Sequence, residues 1–398
     1  MSIFLKNEFD CLISAGFKSA ILSASKIAEK HNIKIYLIGG IVRDLILKKP
    51  IKDIDIAVEF NAVEFAQILE EETDCKIISI QENLKTAKVK FFDTVEIDFA
   101  STREEKYTKS GVLPVAYNFG CELSKDVKRR DFTINTLALT LIGEEKFLLV
   151  DYFDGYNDIK NKRIRILHDK SFIDDPSRII RALKFKVRFN FELEEQTEKL
   201  MQNYLNNIDT SMPLERIKGE LKQYFSIPQK GIYEYLIKTS AYKLIANNPI
   251  KKIDDNSIQC EDDLWFIYIA LLLVNSDYDE RLNLSSYEKK VLSEVKEMME
   301  MPSLNTNIEI YNAYSNKNDI SLKIYYLISQ DKTLKKFLTA LKEIKVLITG
   351  KELIELGFIP SPYFNKLFEK VLKEKLDGKL QTKDEELEFV KQFIKKDE

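Results

Sequence analysis

The sequence predicts an α+β protein, in which a head with a mixed sheet is followed by a long all-helical region. Up to about residue 150, short β-like runs such as "IKIYLIGG", "DIDIAV" and "VEIDFA" alternate with helical stretches such as "FNAVEFAQILEEE". After about residue 170 the β-like runs stop, and patterns such as "PSRIIRALKFKVRF" and "LERIKGELKQYF" have helical periodicity. The length of 398 residues exceeds what one hydrophobic core usually organises, so two or more domains are expected.

The composition excludes several classes of protein. A net charge of −3 provides no global positive field, although phosphate binding needs only local clusters of Lys and Arg. The four cysteines are scattered without C-x-x-C spacing, which argues against zinc and against a disulfide framework. The longest apolar run, "LWFIYIALLLV" from Leu264 to Val274, is too short to span a bilayer and predicts a buried helix. With no secretory signal in "MSIFLKNEFDCL", we expect a cytoplasmic protein without a membrane partner.

A glycine pair marks the first candidate site. Gly39 and Gly40 end a strand-like run, Ile33 to Ile38, and "IVRDLIL" continues with helical spacing. Glycine lets the backbone approach an anion closely, and the unpaired N–H groups of a helix N-terminus face it. The arrangement fits a phosphate cradle, although taken alone it favours an ordinary tight turn.

Carboxylates follow the glycine pair. In "DIDIAV" the side chains alternate, so Asp53 and Asp55 share the face opposite the apolar residues. Two like charges so placed repel unless a cation neutralises them, and hard oxygen ligands favour Mg²⁺. If "VEIDFA" is a neighbouring strand, Asp98 or Glu96 supplies a third carboxylate, and Asp98 is preferred. The alternative is a solvated edge strand.

Two later motifs combine charges with helix starts. "RRDFTIN" leads into "INTLALTLI", for which we predict a helix. The arginines of "RRDFTIN" can contact triphosphate oxygens. Asp131 can accept a hydrogen bond from a ribose hydroxyl or cap a helix. In "DDPSRIIRALKF" the helix begins near Pro176, and Asp175 and Arg178, three residues apart, reach one face. Asp175 could alternatively cap the helix and pair with Arg178. Arg181 lies one turn further along that face.

Taken in order, these motifs resemble those of class II tRNA nucleotidyltransferases (CCA-adding enzymes) and bacterial poly(A) polymerases, in the DNA polymerase β superfamily. The resemblance covers residues 37–221 and includes "LIGGIVRDLIL" with "DIDIAV", "RRDFTIN", "DYFDG", "DDPSRIIRALKF" and "LERIKGEL". One departure is Asp174, where the family commonly has Glu. The resemblance implies a polymerase-β-like nucleotidyltransferase head at 1–155, a helical neck with the nucleotide-selection motif at 156–225, and an all-helical, tRNA-binding body and tail at 226–398.

The resemblance further implies template-independent addition of CMP and AMP, from CTP and ATP, to the tRNA 3′ end. Asp53 and Asp55 would hold Mg²⁺, and Asp98 would assist as the third catalytic carboxylate. The nucleotide-binding candidates, from phosphates to base, are Gly39, Gly40, Arg43, Arg130, Asp131, Asn135, Asp175, Arg178 and Arg181. The stretch "STREEKYTKSGVLPVAYNFGCELSKDVK" has the composition of a loop, and its part "SGVLPVAYNFG" is similar to the family's mobile loop, which favours CCA addition. A CC-adding or A-adding enzyme and a poly(A) polymerase remain alternatives.

A basic cluster in "IKNKRIRILHDK" is the candidate contact with the acceptor stem of tRNA. Its members are Lys160, Lys162, Arg163 and Arg165. A solvated surface explains the same pattern. No obligate protein partner is expected.

Overall fold

The computed structural model describes residues 2–51, 53–108, 112–208, 214–253, 264–276 and 280–394. The chain divides into two compact units, Met1–Leu244 and Ile245–Glu398. This division lies inside the region that the sequence assigns to the body, and the predicted boundary between head and neck stays a prediction.

The first unit contains all of the described strands and the first group of helices. The head elements are α1 Lys6–Leu12, α2 Ala15–Lys30, β1 Ile35–Ile38, α3 Gly40–Ile46, β2 Asp55–Val58, α4 Ala62–Glu72, β3 Cys75–Gln81, β4 Thr86–Phe91, β5 Val95–Ser101, β6 Glu104–Lys106, β7 Val115–Tyr117, α5 Leu123–Asp126, β8 Ala138–Thr140 and β9 Leu149–Val150. The elements that follow are α6 Gly155–Lys160, β10 Arg163–Ile164, α7 Ser171–Asp174, α8 Ser177–Phe189, β11 Glu192–Leu193, α9 Glu195–Asn206, α10 Leu214–Phe225 and α11 Ile232–Lys238.

The main sheet has seven strands in the order β3-β4-β5-β2-β1-β8-β9. Strands β2 and β5 run parallel, whereas the other neighbouring pairs are antiparallel, so the predicted mixed sheet is confirmed. Ile56 and Val58 of β2 are buried, as the alternation predicts. Ala57, on the opposite face, is also buried and packs near Leu123 and Val127. The second face of the sheet is therefore covered at Ala57, whereas Asp55, two residues earlier, is exposed.

Two local predictions were wrong. The run "INTLALTLI" is not a helix: a 3₁₀ turn, Thr133–Asn135, leads into strand β8, which pairs with β1. A short apolar run does not fix its own period, and the ladder to β1 decides the outcome. The segment predicted as a loop after β5 contains a two-stranded antiparallel pair, β6 with β7. Ser110 and Gly111 of the predicted mobile loop lie outside the described residues.

Helices α8 and α10 pack against each other and bury the apolar stripes that their sequences predict. Ion pairs add to this contact, because Glu220 of α10 accepts hydrogen bonds from Arg181 at 3.0 Å and from Lys184 at 2.6 Å. The packing fixes the orientation of α8, whose first turn carries Arg178.

The second unit is helical throughout its described part. Its helices are α12 Leu264–Leu273, α13 Ser286–Met299, α14 Asn307–Tyr314, α15 Asp319–Ser329, α16 Lys332–Lys336, α17 Gly350–Glu355, α18 Tyr363–Leu376 and α19 Lys383–Lys391. Helix α12 is buried along nearly its whole length, as predicted. None of the helices in the described ranges is long and apolar enough to cross a membrane.

Candidate active site

The carboxylates of the predicted metal site meet where β2 begins. Because β2 and β5 are parallel, Asp55 lies directly opposite Asp98. The Asp98 N–H donates to the carbonyl oxygen of Ile54 at 3.0 Å, which fixes this register one residue after Asp53. Glu96 lies two residues before Asp98 and outside the ladder with β2. This geometry favours Asp98 over Glu96 as the third carboxylate.

The electrostatic environment at Asp55 suits a cation. Desolvation by the surrounding protein, together with the carboxylates of Asp98 and Asp53, raises the pKa of Asp55, while Arg130 opposes the shift. Asp98 accepts a hydrogen bond from Lys88 Nζ at 2.8 Å, and this contact raises the pKa of Lys88. Among the residues described, no three His, Cys, Asp or Glu side chains are arranged to hold a metal ion. The donors and the charge fit a divalent cation, but Asp98 is held by Lys88.

The glycine turn lies against an arginine. Gly39 has a φ of +74°, which favours glycine, and a Cβ atom there would lie 3.0 Å from Nη1 of Arg130. Helix α3 begins at the next residue, Gly40. The guanidinium of Arg130 is itself oriented by Asp126, whose Oδ2 is 3.1 Å from Nη2. The turn therefore brings backbone without side chains next to the guanidinium of Arg130, which Asp126 holds in position.

A buried hydrogen-bond network connects four of the predicted residues. Asp131 Oδ2 accepts from Nε and Nη2 of Arg181 at 2.8 and 2.6 Å, and its Oδ1 accepts from Asn135 Nδ2 at 2.9 Å. Asn135 Oδ1 accepts from Arg43 Nη1 at 2.6 Å. Burial alone would raise the pKa of Asp131, but Arg181 and Asn135 outweigh it and hold the pKa below its ordinary value. Asp131 is therefore an ionised carboxylate that orients its neighbours.

Arg43 is more enclosed than its predicted role requires. Its side chain is only 5% exposed, and the guanidinium lies over the ring of Phe189 at 4.6 Å from the centroid. Its Nε donates to Asp44 at 2.9 Å. Arg43 therefore supports Asn135 and reaches the candidate site mainly through that residue.

Asp175 and Arg178 stand at the start of α8. Asp175 Oδ1 accepts from the N–H and hydroxyl of Ser177, the first residue of α8, and Oδ2 accepts from Arg216 Nη2 at 2.8 Å. Arg178 Nη1 donates to Ser171 Oγ at 2.7 Å. Its Nη2 donates to the carbonyl oxygen of Arg129 at 2.9 Å and to the Tyr107 hydroxyl at 3.2 Å. The Arg178 Nε and Asp175 Oδ2 atoms are 4.0 Å apart, so the two groups are neighbours with other principal partners.

One cavity of about 560 Å³ brings the nine predicted nucleotide-binding residues together. They are Gly39, Gly40, Arg43, Arg130, Asp131, Asn135, Asp175, Arg178 and Arg181. The volume is within the range of small-molecule sites, and the arginine-rich lining suits a polyanion. The three carboxylates at β2 and β5 are not among the lining residues, although Asp55 and Arg130 interact electrostatically.

Other residues of the lining were not predicted as site residues. They are Leu84, Arg103, Glu105, Tyr107, Leu113, Pro114, Arg129, Phe185 and Arg216. Arg103 and Arg129 both contact Glu105, at 2.9 and 3.1 Å, and thereby tie β6 to the "RRDFTIN" motif. Of these residues, Arg216 belongs to the motif "LERIKGEL" and Arg129 to the motif "RRDFTIN". The charged pattern "TREEKY" is the one sequence signal that would have indicated ordered secondary structure at this place.

The four basic candidates for RNA contact do not line one common depression. Lys160 lines one depression and lies over the Tyr156 ring at 4.4 Å, whereas Lys162 and Arg163 line another. Arg165 donates through Nε to Asp158 Oδ2 at 3.0 Å and through Nη2 to the carbonyl oxygen of Phe153 at 2.8 Å. Its charge is therefore largely used within the protein. Contact of the other three with tRNA stays a prediction.

Comparison with known proteins shows that the chain is similar to tRNA nucleotidyltransferases. A family model described as the poly A polymerase head domain matches residues 35–165. The A-adding tRNA nucleotidyltransferase of Halalkalibacterium halodurans is 29% identical, over 93% of this chain and 91% of its own. That of Geobacter sulfurreducens is 28% identical over 91% of this chain, which spans only 45% of that relative.

A solved structure extends the similarity to the whole fold. The apo form II of a CCA-adding enzyme superposes with a TM-score of 0.81 at 26% identity, covering 99% of this chain and 100% of its own. The similarity therefore includes the helical region, where the sequence offers no motif.

Proposed function

Because the chain is similar in sequence and fold to tRNA nucleotidyltransferases, we propose that it completes tRNA 3′ ends with CMP and AMP. CTP and ATP are the proposed substrates, the 3′ end and acceptor stem of tRNA the proposed acceptor, and the cytoplasm the proposed location. One observation carries the proposal: an arginine-lined cavity unites the glycine turn with Asp175 and Arg178, next to a carboxylate site at Asp55. The proposed binding regions for the triphosphate and the base would thereby adjoin the proposed catalytic carboxylates.

The triphosphate would bind between the glycine turn and the arginines. Gly39 leaves room for phosphate oxygens close to the backbone, and Arg130 Nη1 faces the same space. A guanidinium presents paired donors in a plane, which matches phosphate oxygens well. Asp126 keeps Arg130 in position, since it accepts from both Nε and Nη2.

The ribose would meet the network around Asp131 and not a free carboxylate. Both oxygens of Asp131 already accept hydrogen bonds, from Arg181 on one side and from Asn135 on the other. We therefore assign Asp131 the role of holding these two side chains at the cavity, where they select a ribonucleotide.

The base would be selected by Asp175 and Arg178. Their edges carry one acceptor and several donors, which is the pattern needed to read a nucleobase without a template. Arg216 already donates a hydrogen bond to Asp175, and Nη2 of Arg178 already donates one to the Tyr107 hydroxyl. An incoming base would therefore displace one of these partners. Tyr107 and Arg216 thus belong to the proposed selection site.

Mg²⁺ is the proposed cofactor, and Asp53 and Asp55 would hold it, with Asp98 beside them. When bound, it would neutralise phosphate charge and lower the pKa of the attacking ribose hydroxyl. The chain's own carboxylates determine where such an ion can bind, because Asp53, Asp55 and Asp98 meet at the start of β2.

Asp98 and Glu96 offer a direct test of which acid is the third carboxylate. We expect Asp98→Asn to reduce nucleotide incorporation roughly 10- to 100-fold, because it removes a charge opposite Asp55. Glu96→Gln, on the same strand and face, should change the rate less than about threefold. The measurement is single-turnover extension of a tRNA lacking its terminal nucleotides. A larger effect from Glu96→Gln would reverse the assignment.

The decisive assay incubates the protein with tRNA ending at the discriminator base or at CC, with each nucleoside triphosphate alone and with all together. We expect CTP alone to add two residues, and CTP with ATP to give a complete CCA end. The second candidate is an A-adding enzyme, favoured by the two A-adding relatives, and it would extend only the CC substrate. Addition that stops at CC, or a long A tail, would indicate a CC-adding enzyme or a poly(A) polymerase.

A further inference from the structure

Two lysine–carboxylate pairs lie side by side on the open face of strands β4 and β5. Lys88 Nζ is 2.8 Å from Asp98 Oδ2, and Lys90 Nζ is 3.3 Å from Glu96 Oε1. Both pairs are direct cross-strand neighbours in the antiparallel ladder. Their side chains are equally exposed: 36% for each lysine, with 45% for Asp98 and 46% for Glu96. The two pairs are thus matched in exposure and in their cross-strand arrangement.

Their positions relative to the proposed catalytic carboxylates differ. Asp98 is paired across the parallel ladder with Asp55, whereas Glu96 lies beyond the end of that ladder. Lys88 therefore binds a carboxylate that belongs to the proposed metal site, and Lys90 binds one outside it. The same oxygen of Asp98 cannot bind both Lys88 and a divalent cation at full strength, because the two positive charges would repel each other at that distance.

We propose that Lys88 is a resident counter-cation, which holds Asp98 in place while no divalent cation is bound and releases it when one binds. The inference rests on the proposed function, since it assumes a divalent cation at Asp53 and Asp55. Lys88 is then a positioning residue: it keeps the repelling carboxylates together in the empty site and competes with the ion for Asp98. The affinity for the ion is set partly by this competition.

Direct binding of Mn²⁺ to the full chain, without nucleotide or tRNA, tests the inference independently of activity. Electron paramagnetic resonance measures free Mn²⁺ during a titration, and Asp53→Asn gives the background of unrelated binding. We expect Lys88→Met to lower the Kd for Mn²⁺ about two- to fivefold, the effect of removing one partly exposed ion pair. Lys88→Arg, which keeps the charge, should restore the affinity of the unmodified protein. Lys90→Met is the matched control and should leave the Kd unchanged.

The outcomes separate this inference from the proposal on which it rests. If the unmodified protein binds Mn²⁺ above the Asp53→Asn background but Lys88→Met behaves like Lys90→Met, the inference is wrong and the metal site stands. Weaker binding by Lys88→Met would also overturn it, since Lys88 would then support the ion and not compete with it. Absence of binding above background would remove both the metal site and the inference.

Discussion

Replacing Asp55 with Asn should reduce nucleotide incorporation by roughly three orders of magnitude while leaving the fold and tRNA binding intact. The substitution keeps the shape of the side chain but removes the charge opposite Asp98. Loss of a ligand to a catalytic metal costs several kcal/mol of transition-state stabilisation, and each 1.36 kcal/mol is about tenfold in rate. Single-turnover extension measures the chemistry, and filter binding measures the affinity for tRNA.

The same variant should be at least as stable as the unmodified protein. The pKa of Asp55 is raised in the folded state, so the fold loses stability as the pH rises from the ordinary pKa of an aspartate through that raised pKa, and above it the loss is complete and constant. At neutral pH the uncharged amide removes this penalty, and thermal melting should show an equal or higher Tm. Asp93→Asn, in the exposed turn between β4 and β5, is the control and should alter neither quantity. Retained turnover would contradict the metal assignment, and a lower Tm would contradict the electrostatic argument.

Much of the carboxylate site follows from local sequence patterns. Alternation in "DIDIAV" and "VEIDFA" places each acid on a face, and a strand alternates regardless of its neighbours. The pairing of β2 with β5, which brings Asp98 opposite Asp55, depends on contacts 43 positions apart along the chain, so it could only be stated as a condition. The ion pair between Lys88 and Asp98 was not predicted for the same reason, because the register of β4 on β5 determines it.

The nucleotide cavity illustrates a different limit. The nine predicted residues come from segments whose motif resemblance identifies them, and the fold brings all of them to one cavity. The resemblance does not describe their partners. Tyr107 is far in sequence from its partner Arg178, and Arg216 is far from its partner Asp175. The segment that contains β6 and β7 was predicted to be a loop. Hydrogen bonds between distant segments leave no periodic signal, so the sequence could not separate a free templating pair from one already bound by its neighbours.

Replacing Arg178 with Ala should blur the choice among nucleoside triphosphates, and we expect selectivity for CTP and ATP over GTP and UTP to fall about 10- to 100-fold. A site that hydrogen-bonds its substrate rejects other substrates strongly, because their polar groups leave buried donors unpaired. Arg178 is suited to that role, since its side chain is 4% exposed and is oriented by Ser171 and by the carbonyl oxygen of Arg129. The measurement is the ratio of kcat/KM values for the four triphosphates.

Stability has to be separated from selectivity in this experiment. Removing Arg178 leaves the Ser171 hydroxyl and the Arg129 carbonyl without their partner, which costs about 1–3 kcal/mol for each buried group left unsatisfied. Arg178→Lys keeps the charge and much of the volume but cannot present a planar pair of donors, so it should lose selectivity with less loss of stability. Arg188→Ala, on the same helix, removes a half-exposed arginine whose ion-pair partner is Asp44 and should change neither. Unchanged selectivity in a folded Arg178→Lys protein would overturn the templating role. Relaxed selectivity with an unchanged rate for CTP and ATP would establish that Arg178 selects the base and does not take part in the chemistry.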